Sequence, residues 1–195
     1  MKSLTLLLST IFILSSFTAT HVDKYDVDTE KSKLTWKAEK ISGGHDGFVF
    51  LKSGNIMMDH GKISAANFVV DMNTITNEDI ESEEYSQKLV GHLKSADFFE
   101  VDKFPEVTFS MIKSNPKGND KFDIVGELTI KGNKDVISFP IEISQTKSEL
   151  IAKGTFTFDR TKFDIIYGSG SFFDNLGDKA IKHEVNVDFE IVFNK

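Results

Sequence analysis

The sequence predicts an all-β protein, an antiparallel β-barrel with one inserted α-helix. Three observations predict it. Apolar and polar residues alternate with period 2 through most of the chain, the alternating runs are rich in Val, Ile, Thr and Phe, and short glycine-bearing links separate them. Links this short join antiparallel neighbours, because a parallel crossover needs a dozen or more residues. A long meander with one helix to cover it must close on itself or split into a sandwich to hide its edges.

The chain has 195 residues. Lys2 is followed by an almost uncharged apolar run from Leu4 to Phe17, shorter than the roughly 20 residues of a membrane span, with acidic sequence beginning soon after it. Residues 1–19 therefore read as a secretory signal peptide cleaved near Ala19, and residues 20–195 as a single domain. The expected location is periplasmic or secreted, with no stable membrane anchor after cleavage. No cysteine is present, so lipoprotein attachment, disulfides and thiolate metal sites are excluded together. The formal charge of -7 becomes -8 once Lys2 is removed, a balance that disfavours nucleic acid.

Strands are expected at Leu34–Ala38, Phe48–Leu51, Asn55–Met58, Ile63–Met72, Val107–Lys113, Lys121–Ile130, Val136–Ser144, Leu150–Asp159 and Glu184–Phe193. The last is the cleanest, with Val185, Val187, Phe189, Ile191 and Phe193 on one side. Turns are expected at 42–44, 52–55, 59–61, 115–120 and 131–134. Between the fourth and fifth strands, helical spacing of Ile80, Tyr85, Leu89 and Leu93 predicts a helix over 77–95, with Asn77 as N-cap and Glu78, Asp79 and Glu81 in its first turn. The stretch 160–182 reads as a loop across one end of the barrel, with a short helix near 174–180.

The 18 phenylalanines put most of the aromatic mass in side chains with no polar handle. Such a set fills a solid core or lines an apolar cavity, and a closed barrel of this size accommodates either. Nucleophile-elbow, phosphate-loop, dinucleotide and His-Glu-x-x-His patterns are missing. Histidines stand at 21, 45, 60, 92 and 183, none at the i,i+2 or i,i+4 spacing of paired metal ligands. No metal, no cofactor and no catalytic residue are expected.

The run from His92 to Phe109, HLKSADFFEVDKFPEVTF, closely resembles the central motif of the YceI-like, lipocalin-type family of polyisoprenoid-binding proteins. Trp36 with His45-x-Gly47, the segment Gly126–Gly132, and Phe158-Asp159-Arg160-Thr161-x-Phe163-Asp164-Ile165 match in order, so the resemblance covers about Tyr25 to Phe193. One departure is Asp164, where the family often has Gly. The resemblance implies an exported lipocalin-like barrel, with a helix against it, that holds an isoprenoid or fatty lipid inside and a polar head near the mouth, without enzymatic activity. The residues expected to line the barrel are Trp36, Phe48, Phe50, Phe68, Phe98, Phe109, Phe156, Phe158 and Phe189. Candidate head-group ligands are His45, His92, Lys94 and Arg160, Arg being favoured for its planar fork. The rival readings are a barrel hydrolase or isomerase with His45 or His92 as general base, and a solid structural barrel. The sequence leaves homodimerisation open.

Overall fold

The computed structural model of the chain describes residues 22–146 and 148–195, and the expected signal peptide lies outside the described residues. The strands are β1 Val22–Val27, β2 Lys33–Lys40, β3 Gly43–Asp59, β4 Lys62–Asp71, β5 Glu106–Gly118, β6 Lys121–Ile130, β7 Asn133–Gln145, β8 Glu149–Asp159 and β9 Ile181–Asn194. Helix α1, Glu83–Lys94, lies between β4 and β5. Every pairing is antiparallel. From β2 to β9 each strand pairs with the next, and β2 pairs with β9 to close the ring.

The ring has eight positions because β1 and β2 share one. Against β3, β1 covers Asn55–Asp59 and β2 covers Gly43–Val49, both running in the same direction. Residues 28–32 interrupt this composite strand. There the Asp28 carboxylate accepts from the Glu30 and Lys31 amides, and the buried Ser32 hydroxyl accepts the Val192 N–H at 3.0 Å. That hydroxyl fills the place of the missing ladder partner, so the interruption leaves no orphaned donor on β9 at Val192.

Two differences from the sequence reading concern β3. Residues 52–55, expected as a turn, form a bulge inside one 17-residue strand, with the register shifting between Leu51 and Ser53. A bulge takes the same small polar residues as a turn but bends the strand without reversing it. Before the bulge, Gly47, Val49 and Leu51 face inward, so Phe48 and Phe50, expected to line the barrel, lie on its outer face. The ammonium of Lys33 sits 4.1 Å from the Phe48 ring centroid, and Phe50 is 39% exposed.

The helix also begins later than predicted. Ser82 is its N-cap residue, not Asn77. Residues 74–79 instead continue from β4 along the edge of β3 as an irregular strap. The Thr76 amide donates to the Phe48 carbonyl and the Glu78 amide to the Asp46 carbonyl, both at 2.9 Å. Between α1 and β5 the motif is a chain of tight turns over residues 95–105: the Phe98 and Glu100 amides return to the Ser95 carbonyl, and the Val101 amide to that of Lys94. These turns drive Leu93, Phe98 and Val101 into the barrel end. The expected short helix near 174–180 is a single 3-10 turn at Gly177–Lys179.

Candidate functional site

Side chains pointing inward from β2 to β9 leave two apolar cavities, of about 110 and 100 Å³. Leu34, Val70, Val107, Leu128 and Phe156 line both, so they form a waist between an upper and a lower chamber. The upper chamber lies beneath α1, its following turns and the β8–β9 loop. Trp36, Phe98 and Phe158 line it, and Arg160 is the one charged residue in its wall. The lower chamber is lined by Phe68, Phe109 and Phe189, with Phe139 and Phe193, two aromatics outside the expected lining set although alternation puts Phe193 on the same side of its strand as Phe189. Phe156 serves both. Seven of the nine expected lining residues thus border a cavity, Phe48 and Phe50 being the exceptions.

The rings touch in sequence around the lower chamber. Phe68 lies 6.3 Å from Phe109, Phe109 5.6 Å from Phe139, and Phe139 5.4 Å from Phe156 and 5.9 Å from Phe189. The cavity wall is therefore an aromatic belt, deformable by ring rotation yet without a polar atom to orient a ligand.

Arg160 is only 2% exposed. Its guanidinium donates to four backbone carbonyls: Ile165 at 2.6 Å, Tyr167 and Lys182 at 2.9 Å, and Ile181 at 3.0 Å. Among the described residues no carboxylate forms an ion pair with it. Burial lowers its pKa from the usual guanidinium value, and neighbouring Asp159 opposes that change. It stays cationic, since guanidinium deprotonation lies far outside the ordinary pH range. The side chain ties both ends of the β8–β9 loop to the barrel rim. Asp164 sits in that loop with φ 59° and ψ 30°, a left-handed conformation that Gly adopts without cost and Asp tolerates. The departure from the family's Gly thus leaves the turn intact.

The other expected head-group residues line neither chamber. His45 belongs to β3, and its Nδ1 lies 2.9 Å from the Asp79 carboxylate. His92 Nε2 lies 2.9 Å from Asp97, with the ring edge-on to Phe98 and Tyr167. Lys94 donates to the Asn73 carbonyl at 2.7 Å. Each histidine has its own carboxylate, and the structure brings them to no shared partner. Among the described residues no group of three metal-binding side chains converges, and no helix is long and apolar enough to cross a membrane. Sequence spacing also gave no sign of Lys131, whose ammonium donates to the Asp164 carbonyl at 3.1 Å, or of the buried Ser169, whose Oγ lies 2.8 Å from His183 Nε2. Both hold the cap over the upper chamber.

The Asp79 carboxylate fastens the strap that carries Thr76. Partial burial pushes its pKa up, but bonds from the Asp46 amide, His45 and Asn77 outweigh this, and the net shift is below the ordinary 3.8. A depressed native pKa contributes stability that is complete above the unfolded value and lost as pH falls through the native one. The strap is therefore expected to loosen only below about pH 3.8, and Asp79→Asn is expected to remove that acid-dependent component. Trp36 fluorescence followed during acid titration of both proteins checks this.

Residues 25–193 match the YceI-like domain family. A UPF0312 protein of Vibrio parahaemolyticus is 30% identical over 165 residues, covering 77% of this chain and 82% of the relative. A UPF0312 protein of Vibrio vulnificus is 31% identical over 134 residues, covering 65% and 64%. Among solved structures, Burkholderia cenocepacia BcnA superposes with a TM-score of 0.68 at 23% identity, covering 85% of this chain and 98% of its own. A polyisoprenoid binding domain from Saccharophagus degradans superposes with a TM-score of 0.63 at 15% identity, covering 87% and 97%. At these identities the structural likeness concerns the fold.

Proposed function

Since this chain belongs to the YceI-like family, we propose that it is an exported binding protein that holds an isoprenoid-like or fatty lipid in its barrel, for sequestration, transport or stress protection, and does no catalysis. The observation that carries the reading is the pair of adjoining chambers walled by apolar side chains with a single buried cation at the upper rim. The polyisoprenoid binding described for the Saccharophagus domain of the same fold supports it. Each methylene moved from water into such a wall contributes about 0.8 kcal/mol, so tail length governs affinity more than tail chemistry does.

Space sets a condition on binding. An apolar cavity of about 150 Å³ holds one benzene, whereas the chambers measure about 110 and 100 Å³. A long tail fits only by joining them through the waist, which requires Phe156 and its neighbours to turn aside. The head would lie at the upper end. There Arg160 contributes its positive field more than its fork, because four of its N–H groups already serve carbonyls.

The single tryptophan reports on occupancy, since Trp36 lines the upper chamber and its indole N–H donates to the Thr76 carbonyl at 3.1 Å. Titration with a fatty alcohol or an isoprenol is expected to change Trp36 emission saturably, and mass spectrometry of the purified protein under native conditions to show bound lipid. A protein that arrives empty and gives no saturable change with either probe overturns the proposal.

A further inference from the structure

The lower chamber owes its space to three glycines, each lying under a phenylalanine. Phe68 faces Gly54 directly across the β3–β4 ladder, Phe189 faces Gly154 across β8–β9, and Phe109 reaches Gly126 diagonally across β5–β6. A Cβ on Gly126 would lie 2.2 Å from Phe109 Cζ, one on Gly54 2.5 Å from Phe68 Cδ1, and one on Gly154 2.8 Å from Phe189 Cζ. All are well inside van der Waals contact. The rings therefore lie flat against the wall, in space that any other residue would occupy, and all three border the lower chamber. A glycine within a strand weakens it and marks a bend or a close approach. Three such positions, on three separate strand pairs and all under rings lining one cavity, constitute a shared arrangement.

We infer that these Gly–Phe pairs set the length of tail the protein accepts: the lower chamber receives the end of an apolar chain, and its depth is fixed by how flat Phe68, Phe109 and Phe189 lie. This inference rests on the lipid-binding reading and names what limits its ligand. A chain entering from the upper chamber gains about fourfold in affinity with each methylene that reaches apolar wall. The gain stops when the chain end meets the belt. A side chain at Gly126 tips the Phe109 ring into the lumen and shortens the accepted chain, whereas removal of the ring lengthens it.

The test is the dependence of affinity on chain length, measured through Trp36 emission with straight-chain primary alcohols from hexanol to hexadecanol. In the unaltered protein, affinity is expected to rise about fourfold per methylene and then level off. Phe109→Ala is expected to move the plateau to longer chains by several methylenes, and Gly126→Ala to shorter ones. The double variant Gly126→Ala/Phe109→Ala is expected to recover chain lengths at least equal to the original, because the added methyl no longer meets a ring. A Cβ at Gly126 also approaches the Ser110 carbonyl at 2.9 Å. If that strain prevents Gly126→Ala from folding, Phe109→Ala decides alone. A folded Phe109→Ala protein whose plateau is unchanged overturns the inference while leaving lipid binding standing. Failure of the unaltered protein to bind any alcohol overturns both.

Discussion

Replacing Arg160 with alanine is expected to lower the melting temperature by about 10 °C, the largest single effect among the site residues. The substitution strands the carbonyls of Ile165, Tyr167, Ile181 and Lys182 together. Hydrogen bonds to a charged group contribute about 1.5–3 kcal/mol each, but the loop is free to relax and admit water to some of the carbonyls, so the net loss is about 4 kcal/mol. Arg160→Lys is expected to recover only part of it, since one ammonium on a flexible stem does not span four acceptors. Circular dichroism melts of the three proteins check the ranking. A loss within 2–3 °C, the change that about 1 kcal/mol produces in a chain of this size, would mean that the carbonyls are satisfied without the guanidinium. Limited proteolysis is expected to cut the Arg160→Ala protein within residues 164–180, because the clamp holds that loop at both ends.

Gly47→Ala is the second large effect, with an expected destabilisation of about 3 kcal/mol. A Cβ on Gly47 would stand 2.1 Å from the Thr76 carbonyl oxygen and 3.0 Å from Asn77 Cα. Both are backbone atoms, so relief requires the strap itself to move. Movement breaks the Thr76 and Glu78 amide bonds to β3, and it removes the acceptor of the Trp36 indole. The signature is specific: urea unfolding shifts to lower midpoint while native Trp36 emission changes. Gly91→Ala is the matched control. Nothing lies within 4 Å of its added methyl, and in mid-helix alanine is favoured over glycine by about 1 kcal/mol, so its effect has the opposite sign. If Gly47→Ala leaves both stability and emission unchanged, the close approach of strap and strand is not what positions the tryptophan.

The barrel and its meander from β2 to β9 were legible because a two-sided sheet imposes period 2 on the sequence, which β9 displays almost without interruption, whereas the short β1 was not read as a strand. Phe48 and Phe50 misled for a physical reason: they alternate with Val49 and Leu51, so both faces of that stretch are apolar and periodicity does not choose between them. The strap misled differently. Asn77, Glu78 and Asp79 are good N-terminal helix residues, but here their polar groups serve the edge of β3. Local propensity was outweighed by an open strand edge that sequence order does not reveal. Six of the seven lining aromatics lie in strands and were accessible from alternation, whereas Phe98 lies in the turns after α1, where no period applies, and the glycines beneath three of the rings read as turn, motif or strand residues. The carbonyls around Arg160 carried no signal, because any residue supplies a carbonyl and only the folded loop brings four of them together.

The pairing of β2 with β9 also governs the order of events in folding. Asp28 and Asn194, which bond side chain to side chain at 3.1 Å, are separated by 166 residues. Every pair from β2–β3 to β8–β9 joins strands consecutive in sequence, but the seam requires the two ends of the domain to meet. Its loop-closure cost falls at one step, which makes slow, late sealing the expected rate limit. Until β9 pairs with β2, a folding chain is expected to have an open sheet with two unpaired edges and an exposed aromatic face, a state prone to edge-to-edge association. A chain that stops short of β9 stays in that state, however well its other strands pair.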